Sequence, residues 1–231
     1  EKMCIEDYQK YFDEFDPKCF DPGAWARTAK QAGMKYAVMT AKHHDGFCLF
    51  DSALTDYKAT NTKAARDLIK EYIEAFRAEG LKVGLYYSVI DWYHQDYPLY
   101  GDRHHPMRDN ADYMGVNHHF DRYLEYMHGQ VRELCTNYGK IDIMWFDFSY
   151  DHMKGEKWKA TELVKMVRSL QPDIILDNRL EGSGENSGTI KTKNPGIFSG
   201  DFASPEQIIP IEGVTDETGA SIPWEACITL N

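Results

Sequence analysis

The sequence predicts an α/β fold, a (β/α)8 barrel present in part, with about six parallel strands and the helices between them. Three observations predict it. Short apolar runs alternate with longer amphipathic stretches along the chain. The apolar runs are nearly unbroken, as strands of a parallel sheet covered on both faces are. Polar residues gather just after those runs, at several strand ends at once, and a barrel assembles its active site at that rim. An open doubly wound sheet would use fewer ends, clustered at one switch point.

The elements follow in order. The stretch GAWARTAKQA reads as a helix, with Pro22 near its start. KYAVMTAKHH, from Lys35, is the first strand, entered after the helix-stopping Gly33. ARDLIKEYIEAFRAE is helical, and Gly80 leads into the second strand, LKVGLYYSVIDW from Leu81. A long helix, NHHFDRYLEYMHGQVRELCTNY, precedes the third strand, IDIMWFDFS from Ile141. KWKATELVKMVRSL repeats its apolar residues at Leu163, Met166, Val167 and Leu170, a helical period. DIILDNR from Asp173, GIFSGDF from Gly196 and WEACITL from Trp224 are the fourth, fifth and sixth strands. The stretches from Asp102 to Asn110 and from Leu180 to Gly196 read as rim loops. The whole, residues 1–231, is read as one partial catalytic barrel domain.

Composition narrows the function classes. The net charge of −11 repels nucleic-acid phosphates, so no nucleic acid is expected as a partner. No apolar run is long enough to span a bilayer, and no N-terminal stretch reads as a signal peptide. The five cysteines are scattered, with no paired spacing for zinc or thiol redox chemistry. No GxGxxG or GxxxxGK follows the first strand, which argues against nucleotide binding. No cofactor is called for.

The candidate site residues sit at strand ends. Asp147 closes the apolar run MWFDF, where a carboxylate is costly to bury unless something pairs with it or uses it. Pairing with Arg179, or capping the next helix, is the structural alternative. Glu206, in GDFASPEQ, is a candidate acid/base on another rim segment; Asp201 and Glu225 are its rivals. His43 and His44 are adjacent, so on a regular strand their side chains leave on opposite faces unless the strand is already turning. That geometry suits hydrogen bonding to a polar ligand better than a shared metal, and no metal site is assigned. Arg179 would set a fixed cation beside Asp147. Trp92, Trp145 and Trp224 offer rings that can stack on a sugar or pack.

At this point the motifs resemble a known family. AGMKYAVMTAKHHDGFCLFDS, GLYYSVIDW, WFDF, NR and WEACITLN, in that order, are similar to family 29 glycoside hydrolases, the α-L-fucosidases. KHHDGF is the most specific of them. The resemblance implies a retaining double displacement on a terminal α-L-fucoside, carried by a fucosylated oligosaccharide or glycoconjugate. It implies Asp147 as the nucleophile and Glu206 as the acid/base. It implies His43, His44, Tyr86, Trp92, Arg179 and Trp224 at the sugar; alternation from Gly84 favours Tyr86 over Tyr87 as the inward tyrosine. It also implies a secreted, periplasmic or lysosomal setting. The family opens its barrel with an FGxFxHWG-like strand that this sequence lacks, and closes with a WGY-like segment beyond its end. The first and last strands are therefore expected to be missing, and the chain reads as a fragment. A fucose-binding remnant without turnover is the alternative, and a metal-dependent hydrolase barrel a more distant one. Linkage specificity and oligomeric state are not legible.

Overall fold

The computed structural model of the chain describes residues 3, 5–98, 102–182 and 187–229. Four strands form one parallel sheet in sequence order: β1 (Tyr36–Lys42), β2 (Lys82–Ser88), β3 (Ile143–Asp147) and β4 (Ile175–Leu176). Among the described residues five α-helices accompany them: α1 (Ile5–Glu14), α2 (Pro22–Gln31), α3 (Leu68–Ala78), α4 (Phe120–Asn137) and α5 (Ala160–Leu170). Among the described residues, no helix is long and apolar enough to cross a membrane.

Helices α2 and α3 start where their sequences provide acceptors. Asp21 accepts from Ala24 N–H at 2.8 Å and Asp67 from Lys70 N–H at 2.9 Å, each satisfying a donor the first turn leaves free. Helices α3, α4 and α5 press Ile69, Ile73, Met127, Val131, Leu163 and Val167 onto the outer face of the sheet, where they meet Leu85, Tyr87, Met144 and Phe146. Burial of these apolar side chains is the main stabilising term.

Strand alternation sends the other residues inward. Val38, Tyr86, Ile143 and Trp145 pack on the inner face with Phe202 and Cys227. Gly84 lies on that face too: a Cβ there would stand 2.8 Å from Val38 Cγ2.

The fifth and sixth segments depart from the expectation of full strands. They continue the sheet only as isolated parallel bridges, Asp177–Phe202, Ala203–Trp224 and Glu206–Cys227. The reason is local. Gly200 adopts φ +81°, and a Cβ there would lie 2.2 Å from Asp177 O, so the chain turns tightly instead of extending. Pro205 and Pro223 have no N–H to give a ladder. Helix α1 is absent from the sequence reading; its Phe12 stacks on Tyr57 with ring centres 5.3 Å apart.

Candidate active site

A cavity of about 1040 Å³ opens at the C-terminal ends of the strands and runs down the inner face of the sheet. Asp147, Tyr86, Arg179, Glu206 and His43 all line it. Asp147 is the last residue of β3, and register places it beside Ser88 of β2.

Asp147 is held from two sides. Tyr86 O–H donates to Oδ2 at 2.9 Å, and Arg179 Nη1 donates to Oδ1 at 2.9 Å. Burial, then the Asp147 charge, pushes the Tyr86 phenol above its ordinary value, so it stays a donor. The same Nη1 donates to Glu206 Oε2, also at 2.9 Å. One guanidinium nitrogen therefore joins the two carboxylates, whose bonded oxygens lie no farther apart than the two bonds laid end to end. Arg179 is 1% exposed, and its guanidinium sits 4.3 Å above the Trp145 ring centre. Burial alone would lower the Arg179 pKa, but Asp147 and Glu206 outweigh it and hold the group above its ordinary value.

The rivals of Glu206 are engaged elsewhere. Glu225 lines the same cavity, but it accepts from Trp145 Nε1, from Ser204 Oγ at 3.0 Å and from Tyr36 O–H at 3.1 Å. Asp201 takes a two-oxygen contact from Arg168 Nη2, at 2.9 and 3.0 Å, and caps Leu176 N–H. Glu206 keeps a half-exposed side chain in the cavity.

The paired histidines resolve as a turn. β1 carries a register shift between Thr40 and Lys42 and ends at Lys42, and Gly46 N–H closes a turn on His43 O at 3.1 Å. The two rings therefore sit side by side, centres 3.7 Å apart. His43 faces Asp147's cavity and stacks on Tyr86 at 5.4 Å. His44 lies against Trp92 at 4.1 Å, and both line an adjoining cavity of about 370 Å³ that His43 also borders. Desolvation lowers the His43 pKa. Burial, with His43 and His104 adding to it, pushes His44 down to about 3. Phe148, directly after Asp147, has φ +75° and wedges its ring against His44 at 4.6 Å. A non-glycine residue in that region stores strain of the kind found at functional sites.

Trp224 does not reach this cavity. It packs with Ile190, Ala203, Val214 and Ile222 and borders a separate hollow with Pro223 and Lys35. Glu225 and Cys227 face the Asp147 cavity instead.

Tyr36, Arg103, His104, Tyr150 and Lys154 also line the cavity and had no assigned role. Tyr36 shares the inward phase of Val38 and Thr40, a signal alternation carries. Arg103 and His104 lie on the 102–110 loop, pinned by Asp102, which accepts from Tyr97 O–H at 2.5 Å and from Tyr150 O–H. No periodicity foretells such a loop contact. Residues 183–186 of the Leu180–Gly196 loop lie outside the described residues.

The family model described as alpha-L-fucosidase matches residues 5–231. The chain is 36% identical over 165 residues to the putative alpha-L-fucosidase 1 of Oryza sativa subsp. japonica, covering 70% of this chain and 28% of that protein. It is 67% identical to the solved alpha-L-fucosidase isoenzyme 1 from Paenibacillus thiaminolyticus, with TM-score 0.95, covering 100% of this chain and 53% of that one. A family 29 fucosidase from Bacteroides thetaiotaomicron, solved as a trapped covalent intermediate with 2-fluoro-fucosyl fluoride, matches at 31% identity and TM-score 0.78, over 98% of this chain and 49% of that one. The chain thus spans about half the length of these solved relatives and less of the curated one. With the motif order, the parallel α/β sheet and the family match in agreement, this chain belongs to the α-L-fucosidase family of glycoside hydrolases.

Proposed function

We propose that the protein is an exo-acting, retaining α-L-fucosidase that releases terminal α-L-fucosyl residues from a fucosylated oligosaccharide or glycoconjugate. The single observation that carries this reading is the guanidinium of Arg179 joining two carboxylates at 2.9 Å each across the cavity. A retaining glycosidase needs its two carboxyl groups about 5–5.5 Å apart, against about 6.5–9.5 Å for an inverting one. A shared hydrogen-bond donor supports the closer spacing. The trapped intermediate of the Bacteroides relative supports a covalent route.

The sheet is read as an arc of a (β/α)8 barrel, forming with its flanking helices one partial catalytic domain. Its strands add in sequence order, and its chemistry sits at their C-terminal ends.

In this mechanism Asp147 Oδ attacks the anomeric carbon while the Glu206 carboxyl gives its proton to the departing glycosidic oxygen. The C–O bond breaks as the Asp147–carbon bond forms. Glu206, now a carboxylate, takes a proton from water, and that oxygen displaces Asp147 from the sugar. Arg179 orients both carboxylates throughout. Tyr86 fixes the rotamer of Asp147 through its hydrogen bond. His43 borders the place where the sugar would lie, with His44 and Trp92 behind it. Neutral imidazoles both donate and accept, as sugar hydroxyls require.

The test is hydrolysis of a chromogenic aryl α-L-fucoside. Turnover that the Asp147→Ala substitution lowers by about 10³-fold or more supports the reading. Full turnover in that variant sinks it. Fucose binding by the folded protein without turnover would favour a binding remnant, although three further carboxylates, Asp151, Glu206 and Glu225, line the cavity.

A further inference from the structure

We propose that Asn178 is a positioning residue for the acid/base: it holds the backbone from which Glu206 projects. The inference rests on the reading of Glu206 given above.

Glu206 does not stand on a strand. On one side its segment pairs with the 223–227 stretch through the bridges Ala203–Trp224 and Glu206–Cys227, with Cys227 N–H donating to Pro205 O at 3.2 Å and Gln207 N–H to Cys227 O at 2.8 Å. Pro205 before it restricts φ, and Gln207 after it takes φ +56°, a left-handed conformation costly for a side chain without local support. On the other side the side chains that follow β4 hold it.

Ser204, two residues before Glu206, is gripped at three points. Its N–H donates to Asn178 Oδ1 at 3.0 Å. Its C=O accepts from Arg179 Nη2 at 3.0 Å. Its Oγ donates to Glu225 Oε1 at 3.0 Å. Asn178, Arg179 and Ser204 are 3%, 1% and 2% exposed, so water cannot replace a lost bond cheaply. Arg179 also binds Glu206 itself, which makes it part of the reacting machinery. The Asn178 side chain bonds Ser204 and Ser187, and it acts on Glu206 through Ser204. Its amide nitrogen donates to Ser187 O at 3.0 Å, which fixes the orientation of the amide and ties it to the loop that follows β4. Adjacent residues of one motif thus divide the work: Arg179 aligns the two carboxylates, and Asn178 sets the chain that carries one of them.

The consequence is specific. A displaced acid costs most where the leaving group needs a proton. Departure of 2-chloro-4-nitrophenolate needs little protonation; departure of methoxide needs it fully. General acid catalysis contributes about 10²–10⁴-fold where it is needed.

The experiment compares kcat/KM for methyl α-L-fucoside and 2-chloro-4-nitrophenyl α-L-fucoside in wild type, Glu206→Gln, Asn178→Ala and Asn178→Asp. Glu206→Gln is expected to widen the aryl-over-methyl ratio by about 100-fold or more. Asn178→Ala is expected to widen it in the same direction by about tenfold, and Asn178→Asp, which retains an acceptor for Ser204 N–H, to stay nearer the wild-type ratio. The ratio is internal to each preparation, so partial loss of folded protein leaves it unchanged. Should Asn178→Ala give no folded protein, Asn178→Thr is read in the same way. An unchanged ratio in the Asn178 variant beside a widened one in Glu206→Gln overturns this inference alone. An unchanged ratio in Glu206→Gln removes the acid/base reading, and this inference with it.

Discussion

Arg179 is the residue on which the site turns. A buried cation needs compensation, and here two carboxylates and an indole face provide it. The arrangement holds two carboxyl groups close on one shared donor. His44 shows the opposite device: a titratable ring held neutral. Its pKa falls from 6.5 to about 3, first because it is desolvated and then because His43, His104 and Lys42 oppose a further positive charge. Between those values the unfolded chain binds a proton that the folded chain refuses, so stability rises with pH there. The contribution is fully present above the ordinary value and is lost as pH falls towards the folded one. Melting temperature followed from about pH 7 to about pH 4 should therefore fall less steeply in His44→Asn than in wild type. Equal slopes would show that His44 carries none of the acid sensitivity.

At the scale of elements, the end of β1 explains most of KHHDGF. Lys42 is buried and paired with Asp91 at 2.9 Å, while Asp91 Oδ1 also accepts from Tyr93 N–H and His94 N–H, each at 2.9 Å. Trp92 N–H donates to His44 O at 2.7 Å. The ends of β1 and β2 are thereby sewn together under the histidines. Gly46 closes against this pair: it has φ +82°, and a Cβ would lie 2.4 Å from Asp91 Oδ1. Removing one partner of a buried pair strands the other, so Lys42→Met should destabilise the fold by about 3–5 kcal/mol. Adding Asp91→Leu should recover part of that loss in urea denaturation, and additive losses would contradict the coupling. Strands β1 to β3 were legible because nearly unbroken apolar runs mark strands covered on both faces, and alternation from Gly84 favoured Tyr86 as the inward tyrosine. The fifth and sixth segments were not, because a left-handed glycine and two prolines interrupt runs whose composition still reads as strand. Trp224 lies in a segment that pairs by single bridges, where the phase of alternation is set by tertiary contacts. Helix α1 was missed because a short amphipathic stretch has little intrinsic stability, and its place comes from rings such as Phe12 docking on Tyr57.

At the scale of the molecule, about half of a solved relative's length is represented here, with the proposed chemistry gathered on one face of one sheet. Tyr36 and Ile175, on β1 and β4, are each 44% exposed, more than apolar strand residues usually are. A protein extended to the length of the Paenibacillus relative should cover such surface, melt higher and show a higher kcat/KM on an aryl α-L-fucoside. Equal values in both forms would show that these 231 residues suffice. The central claim, that Asp147 bonds to the sugar, is tested most directly by trapping. The protein is incubated with 2-deoxy-2-fluoro-α-L-fucosyl fluoride, digested and mapped by mass spectrometry. The account predicts one fluorofucosyl adduct, on the peptide and side chain of Asp147, and none in Asp147→Ala. An adduct on Glu206 or Glu225, or steady hydrolysis of an aryl α-L-fucoside in the Asp147→Ala protein, would contradict it.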